Sequence, residues 1–355
     1  KRVAQRGIDI HSEDYKHGVT PDTLEILSHL DSTQNLGALA EDNPLVCLRE
    51  VDLHIALPMM SQGETKGVAL LGGKLSKDSY KEDELEFLMT LGNRVMISLE
   101  NAWLFEQAIE KQRLEEEIAI ARDIQQRLLP RSFPELPFLH VYGFNIPSRQ
   151  VGGDFFDFVD LGDDQFGLAI GDVSGKGVGA SLLMSNLHAG LHILLDSRVE
   201  VDVLIKRLND LIYENTSDDK FITFFYAQVD CRTNTMVYVN AGHNPPYLFH
   251  ADGSFETLEE GGLILGIMPS MDYQIGRRSL KTGDMLISFT DGVTEAREPN
   301  GEMFEEERLE RLIAKAIGDN RSVKEIAEIL IDELQTFSNG EAQGDDITML
   351  GLKVM

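Results

Sequence analysis

The chain has 355 residues, with 32 basic and 60 acidic side chains and a formal net charge of −28. An isoelectric point near 4.6 excludes the basic footprint that a nucleic-acid binder needs to displace counterions, and anionic membrane surfaces would repel it as well. With 42% hydrophobic and 26% charged residues it has the makeup of a globular protein, and at ~150 residues per domain its length predicts two or three domains.

Cys47 and Cys231 are isolated, with no CxxC or Cys/His pattern. That excludes a disulfide scaffold and the usual structural zinc sites, and suits a reducing compartment. No apolar run approaches the ~18 residues of a membrane span, and no signal-peptide pattern is present. The expected location is the cytoplasm, with neither nucleic acid nor membrane as a partner. The chain begins at Lys1 without a methionine and so reads as a fragment of something longer.

Residues 1 to 45 are weakly patterned, with polar turns at Ser12–His17 and Asp31–Asn35 around a short helix near Thr23–Leu30. From Leu53 the signal improves: HIALPMM reads as a strand, SQGETKG as a turn and VALLGGK as the returning strand. Ser79 with Glu82 three residues later matches a capping box and opens a helix. No proline interrupts the chain from there to Pro130, so an unbroken helix would run ~70 Å, with Gly92 a possible break. Within it Leu114, Ile118, Ala121 and Leu128 fall on alternating four- and three-residue steps, with Gln125 in the remaining seam position. This pattern predicts a dimerising coiled coil, the alternative being a solvated helix packed along one domain. PRSFPELPF, at 130 to 138, carries three prolines, ends the helix and marks the main domain boundary.

Beyond it, DFFDFVD and QFGLAIGD are two apolar strands around an Asp/Gly turn at Leu161–Asp164. A hairpin centred on Asp163 puts Asp154 directly opposite Asp172 on one face of the sheet, a pairing that a one-residue slip would change. Two such carboxylates at ~5 Å and an effective dielectric of ~20 repel by about 3 kcal/mol. Either one holds a proton or a divalent cation sits between them. Further on, DMLISFTDGVTEA is a strand ending in Asp291, and QGDDITMLGLKV opens the last strand with Asp345 and Asp346. Four separated strand ends thus each present an aspartate. Hard oxygen ligands without His or Cys select Mg²⁺ or Mn²⁺ over zinc, and carboxylates shared between two ions build a two-metal hydrolytic site.

Other phosphate and metal motifs fail on spacing. In GDVSGKGVGA only three residues separate Gly171 from Gly175, and Gly177 follows Lys176, so neither a Walker A loop nor GxGxxG is present. His188 and His192 stand at i, i+4 on a helix, but Ala189 replaces the glutamate of HExxH, and they read as ordinary helix residues. Asp157 reads as a strand residue on a polar edge. His243, in AGHNPP, reads as a turn histidine satisfied by backbone rather than as a general acid.

Five motifs, VGGDFFD (151–157), GDVSGKGVGASLLM (171–184), NAGHNPPYLF (240–249), LISFTDGVTEA (286–296) and GDDITMLGL (344–352), occur in the order found in the PPM family of metal-dependent serine/threonine phosphatases. The sequence from 131 to 355 resembles that family, related to protein phosphatase 2C, and most closely its bacterial SpoIIE/RsbU-like branch. The resemblance implies an α+β fold, an α/β-β/α four-layer sandwich of two antiparallel sheets; the reading of MVYVNAG and PYLFH as strands, and of helices near 180–195, 201–215, 304–317 and 322–337, is consistent with it. It implies two Mn²⁺ or Mg²⁺ ions, with Asp172 bridging them, the Val173 carbonyl on one, Asp154 holding metal directly or through water, and Asp291 with Asp345, or Asp346 in a shifted register, on the other. Arg149 lies where some members place a phosphate-binding arginine. The implied reaction is one-step phosphoester hydrolysis by a metal-activated water.

Residues 43 to 103, with LHIALPMM and GVALLGGK and running into YKEDELEFLMTLGNRVMISLENAWLF, resemble the C-terminal half of a GAF domain. The expected organisation is a GAF-like sensor, possibly truncated, at 1–99, a helical coiled-coil linker at 100–130 and the phosphatase domain at 131–355. By resemblance, the substrate is a phosphorylated STAS-domain protein and the linker makes a homodimer; the GAF ligand is unknown. The alternatives are a non-catalytic signalling module and a two-metal phosphohydrolase of different specificity.

Overall fold

The computed structural model describes residues 21–216 and 220–355. The polar turn expected at Ser12–His17 lies outside them. The chain divides into two compact units, residues 1–114 and residues 115–355.

In the first unit, helix α1 (Pro21–Ser28), strand β1 (Gln34–Asn35) and two 3-10 turns precede strands β2 (Leu53–Ser61) and β3 (Glu64–Gly72), which form a three-stranded sheet in the order β1-β2-β3. Leu27, Leu36, Leu45, Leu48 and Ala56 make its buried core. The β2–β3 connection is tighter than the SQGETKG turn expected from sequence. Only Gln62 and Gly63 separate the strands, both with positive φ (53° and 82°), the geometry that matches the twist of a two-residue hairpin.

Helix α2 (Glu82–Leu128) is continuous over 47 residues and passes through Gly92 without a break. Its N-terminus is capped two residues later than Ser79/Glu82 predicts, where the Lys81 amide donates to the Glu84 carboxylate at 2.7 Å. Toward its C-terminal end the seam turns inward. Gln125 is buried, its side-chain amide exchanging two hydrogen bonds with the backbone of Gly152, while Leu128 and Leu129 pack on the core of the second unit. Gln125 is therefore used within its own unit rather than at a helix–helix seam.

The second unit has four layers. A five-stranded sheet has the order β10-β9-β13-β14-β4 and a six-stranded sheet the order β11-β8-β7-β6-β5, with β12 paired to β8. The strands are β4 (Leu139–Ile146), β5 (Phe155–Gly162), β6 (Gln165–Val173), β7 (Ile222–Asp230), β8 (Thr235–Ala241), β9 (Tyr247–Phe249), β10 (Phe255–Thr257), β11 (Gly261–Gly262), β12 (Gly276–Ser279), β13 (Met285–Phe289) and β14 (Ile347–Val354). Helices α3 (Val178–Asp196) and α4 (Val201–Glu214) cover the six-stranded sheet, and α6 (Glu306–Gly318) and α7 (Val323–Ser338) cover the other; α5 (Asp291–Thr294) is a single turn after β13. These four long helices fall within two residues of the expected ranges.

Strand alternation explains the layering, because successive side chains leave opposite faces. Phe155 and Phe224 point outward to Met184, Leu187 and Leu208 of the helices. Their neighbours Phe156 and Phe225 point inward, to meet Leu248, Leu286 and Leu350 of the facing sheet. Each such aromatic contributes roughly 1.5–3 kcal/mol on burial, so a one-residue slip would forfeit both cores at once. α3 has length and composition sufficient to cross a membrane, with a mean hydropathy of 1.4, which corrects the expectation that no such run exists. Its apolar face is used here against the six-stranded sheet.

Candidate metal centre

The β5–β6 hairpin adopts the register expected from its turn. Phe155 pairs with Gly171 and Phe156 with Ile170, so Asp154, one residue before β5, lies opposite Asp172. Gly162, Asp163 and Asp164 all take positive φ at the turn, a conformation that Gly and Asp tolerate best. Asp291 opens the turn after β13, and Asp345 and Asp346 immediately precede β14. The aspartates thus come from strand ends of both sheets at one edge of the sandwich.

Their surroundings differ sharply. Asp154 is buried, and its Oδ2 accepts hydrogen bonds from Thr290 Oγ1 at 2.8 Å and from Thr348 Oγ1. Burial, with Asp172 and then Asp346 nearby, raises its pKa well above the usual carboxylate range, partly offset by the threonine bonds. Asp172 is pushed up to about 7 by burial and by the charges of Asp291 and Asp345, against a hydrogen bond from Asp154. Asp291 is raised by burial, Asp345 and Glu295, and lowered by the Gly292 amide and Lys176. All three favour a proton, or a cation in its place.

Asp346 has a different task. Its Oδ1 accepts from the Ser148 amide and hydroxyl at 2.7 and 2.9 Å, and its Oδ2 from the Gly153 amide at 2.7 Å and the Asp154 amide at 3.4 Å. It ties the loop before β5 to the last strand. Asp345 instead stands by Lys176, at 2.9 Å, and its charge acts on Asp172 and Asp291. The paired glycines of VGGD let the loop close: a Cβ on Gly152 would lie 2.2 Å from Asp346 Oδ2, and one on Gly153 would lie 2.8 Å from the Val173 carbonyl oxygen. Arg149 is exposed on this loop, and no hydrogen bond or ion pair joins it to the carboxylates.

Sequence reasoning missed Thr290, Thr348 and Lys176. The two threonines flank the aspartate motifs in FTDG and DDIT, where a polar residue at an inward strand position was the available signal. Lys176 was weighed only as a nucleotide-loop lysine. Two residues depart from their expected settings. Asp157 lies on an edge strand but is buried under α3, bonded to His192 at 2.7 Å. His243 is buried and bonded by its ring Nδ1 to Thr223 Oγ1 at 2.9 Å, as well as to Asn240 through its backbone. Burial holds its pKa down to about 4, which keeps the imidazole neutral near pH 7.

A set of carboxylates and a nearby backbone carbonyl, with no His or Cys, fits hard divalent cations such as Mg²⁺ or Mn²⁺. Residues 162–355 match the family described as Stage II sporulation protein E (SpoIIE). The chain is 32% identical to phosphoserine phosphatase RsbU of Bacillus subtilis over 272 residues, 76% of this chain and 78% of RsbU. It is also 32% identical to protein IcfG of Synechocystis, over 66% of this chain and 41% of that protein. The SiaA-PP2C domain of Pseudomonas aeruginosa superposes with a TM-score of 0.60 at 20% identity, covering 69% of this chain and 99% of that domain, a likeness of fold. The fold and site define a PP2C-type serine/threonine phosphatase. The chain belongs to the SpoIIE family.

Proposed function

We propose that this chain is a metal-dependent phosphatase that hydrolyses phosphoserine or phosphothreonine on a signalling protein, with a phosphorylated STAS-domain protein as substrate. The observation that carries the reading is the convergence of Asp154, Asp172, Asp291 and Asp345 at one sheet edge, with two of them buried or nearly so and the pKa values of Asp154, Asp172 and Asp291 raised. Asp154, Asp172, Asp291 and Asp345, with the Val173 carbonyl, would hold two Mn²⁺ or Mg²⁺ ions. Such ions supply Lewis acidity toward phosphoryl oxygen and make water acidic near neutral pH. Asp346 keeps the loop that carries Asp154 in place, and the Thr290 and Thr348 hydroxyls fix the orientation of the Asp154 carboxylate. Lys176 offsets part of the negative charge beside Asp345. Arg149, exposed on the same loop, is available to an incoming phosphoryl group.

The GAF-like reading of 1–99 and the linker reading of 100–130 make the N-terminal part a sensor that controls the phosphatase from a homodimer. Leu91, Val95, Leu99, Trp103 and Ile109 of α2 are exposed apolar side chains in the single chain, which supports pairing through this helix. Analytical ultracentrifugation is expected to show a dimer; a monomer at high concentration would remove the dimeric control. Neither Cys47 nor Cys231 is in a disulfide, which accords with a cytoplasmic setting.

The test is phosphate release from a phosphorylated STAS-domain protein. Release is expected with Mn²⁺, and neither with chelator nor from Asp172→Ala in Mn²⁺. Equal release from small phosphoesters in direct competition would favour a different phosphohydrolase.

A further inference from the structure

Outside the carboxylate centre, the fold assembles a second group of ligand-capable side chains whose chemistry is different. His188 and His192 lie one turn apart on α3, with ring centroids 4.4 Å apart. The sequence offers them no third partner on the helix, but β5 supplies one: Asp157 Oδ2 meets His192 Nε2 at 2.7 Å. One ligand atom from each of the three residues lies within 4.8 Å of the others.

We propose that Asp157, His188 and His192 form a binding site for a zinc-class cation, separate from the carboxylate centre and joining α3 to β5. The separation follows from strand alternation. Asp154 reaches Thr290 and Thr348 of the facing five-stranded sheet, whereas Asp157 turns outward beside Phe155 and reaches the helix layer. The two groups occupy opposite faces of the six-stranded sheet.

The donor set selects the ion. Two imidazole nitrogens and one carboxylate oxygen suit Zn²⁺, Co²⁺ or Ni²⁺, and suit Mg²⁺ poorly. A tetrahedral ion with bonds of ~2.1 Å holds its ligands ~3.4 Å apart, an approach that rotation of the two imidazoles can supply. Asp157 is already oriented for it, because its Oδ1 accepts the Phe158 amide at 2.8 Å and leaves Oδ2 toward the histidines. Support of this kind from a neighbouring hydrogen bond is characteristic of metal ligands. His188 is packed edge-on against Phe155, with centroids 6.1 Å apart. Burial, and then His192 beside it, holds its pKa below the usual value, so the imidazole presents a lone pair near pH 7. His192 also lines an open cleft with Leu161, Gln165, Arg198 and Val201, from which water can complete the coordination. The ion would take the place of the hydrogen bond between His192 Nε2 and Asp157 Oδ2, with the ring proton of the neutral imidazole carried on Nδ1.

The experiment is calorimetric titration of Zn²⁺ into the full chain in a large excess of Mg²⁺, which occupies hard-oxygen sites and competes weakly for imidazole. The expected result is one Zn²⁺ per chain, with affinity falling at least about tenfold in His188→Gln and in His192→Gln. Co²⁺ in the same buffer is expected to give the intense visible absorption of a four-coordinate nitrogen site in the wild type and not in His192→Gln. The His192 side chain is 42% exposed, and the double variant Asp157→Asn/His192→Gln keeps a neutral hydrogen-bonded pair, so a folded, zinc-blind protein is obtainable and circular dichroism verifies it. Failure of the wild type to bind Zn²⁺ above Mg²⁺, or undiminished binding in both histidine variants, would overturn the proposal. Neither result bears on phosphate release, so the site stands or falls independently of the phosphatase reading.

Discussion

Asp154 and Asp157 are three residues apart, both are buried, and they belong to one strand region, yet they are committed to different chemistry. Asp154 faces the interior between the sheets, among hydroxyls and other carboxylates. Asp157 faces the helix layer and an imidazole. The carboxyl group is the same in each case; what differs is the company that strand alternation provides, hard oxygen on one face and borderline nitrogen on the other. A sheet with both faces covered can in this way keep two cation environments apart across one layer of backbone.

The largest expected effect lies on the inner face. Asp291→Ala should lower Mn²⁺-dependent phosphate release at least ~10²-fold, the scale of losing one preorganised electrostatic group, while the unfolding midpoint of the metal-stripped protein stays the same or rises because a repulsion is relieved. A drop in both would mean that Asp291 holds the fold rather than the ions.

The pH dependence of stability should also follow the inner face. Asp172 has a folded pKa of about 7 against a usual value of 3.8, so between these values the folded state holds a proton that the unfolded state has lost. Stability of the metal-stripped protein should therefore fall as pH rises through this window, by up to about 4 kcal/mol before allowance for solvent screening. Urea unfolding at a series of pH values reads the slope, and saturating Mn²⁺ should flatten it. A rise in stability over the same window would reverse the sign of the account.

Asp345 and Asp346 give a sharper pair. Asp346→Ala strips four hydrogen-bond donors of their acceptor and should cost about 2–3 kcal/mol of stability as well as activity. Asp345→Asn should cost activity with little change in the urea midpoint. Equal losses of stability in the two would dissolve the distinction. The smallest effect belongs to Thr348→Val, which removes one of two hydroxyls on Asp154 and should cost about 1–2 kcal/mol, measured the same way.

Much of the catalytic domain was legible from sequence because its signals are local. The β5–β6 register follows from one Asp/Gly turn, and the four long helices lie within two residues of their expected ranges. The centre was legible because each aspartate sits at a strand end that can be read by itself. What escaped was non-local. Gln125 matches a coiled-coil seam but is claimed by the backbone of Gly152, 27 residues away. The pair at His188 and His192 lacked its third member because Asp157 lies 35 residues before His192 in the chain and meets it only through the packing of α3 on β5. Which of the adjacent Asp345 and Asp346 turns toward the loop depends on the pairing of β14 with β4, a contact spanning most of the domain.

The most direct test of the central claim is to follow Mn²⁺ binding and phosphate release together on the full chain with a phosphoserine protein as substrate. The account predicts that release rises in step with occupancy of the carboxylate centre, and that Asp172→Asn loses both while remaining folded. Release that continues from the metal-stripped protein, or undiminished from folded Asp172→Asn, would contradict it.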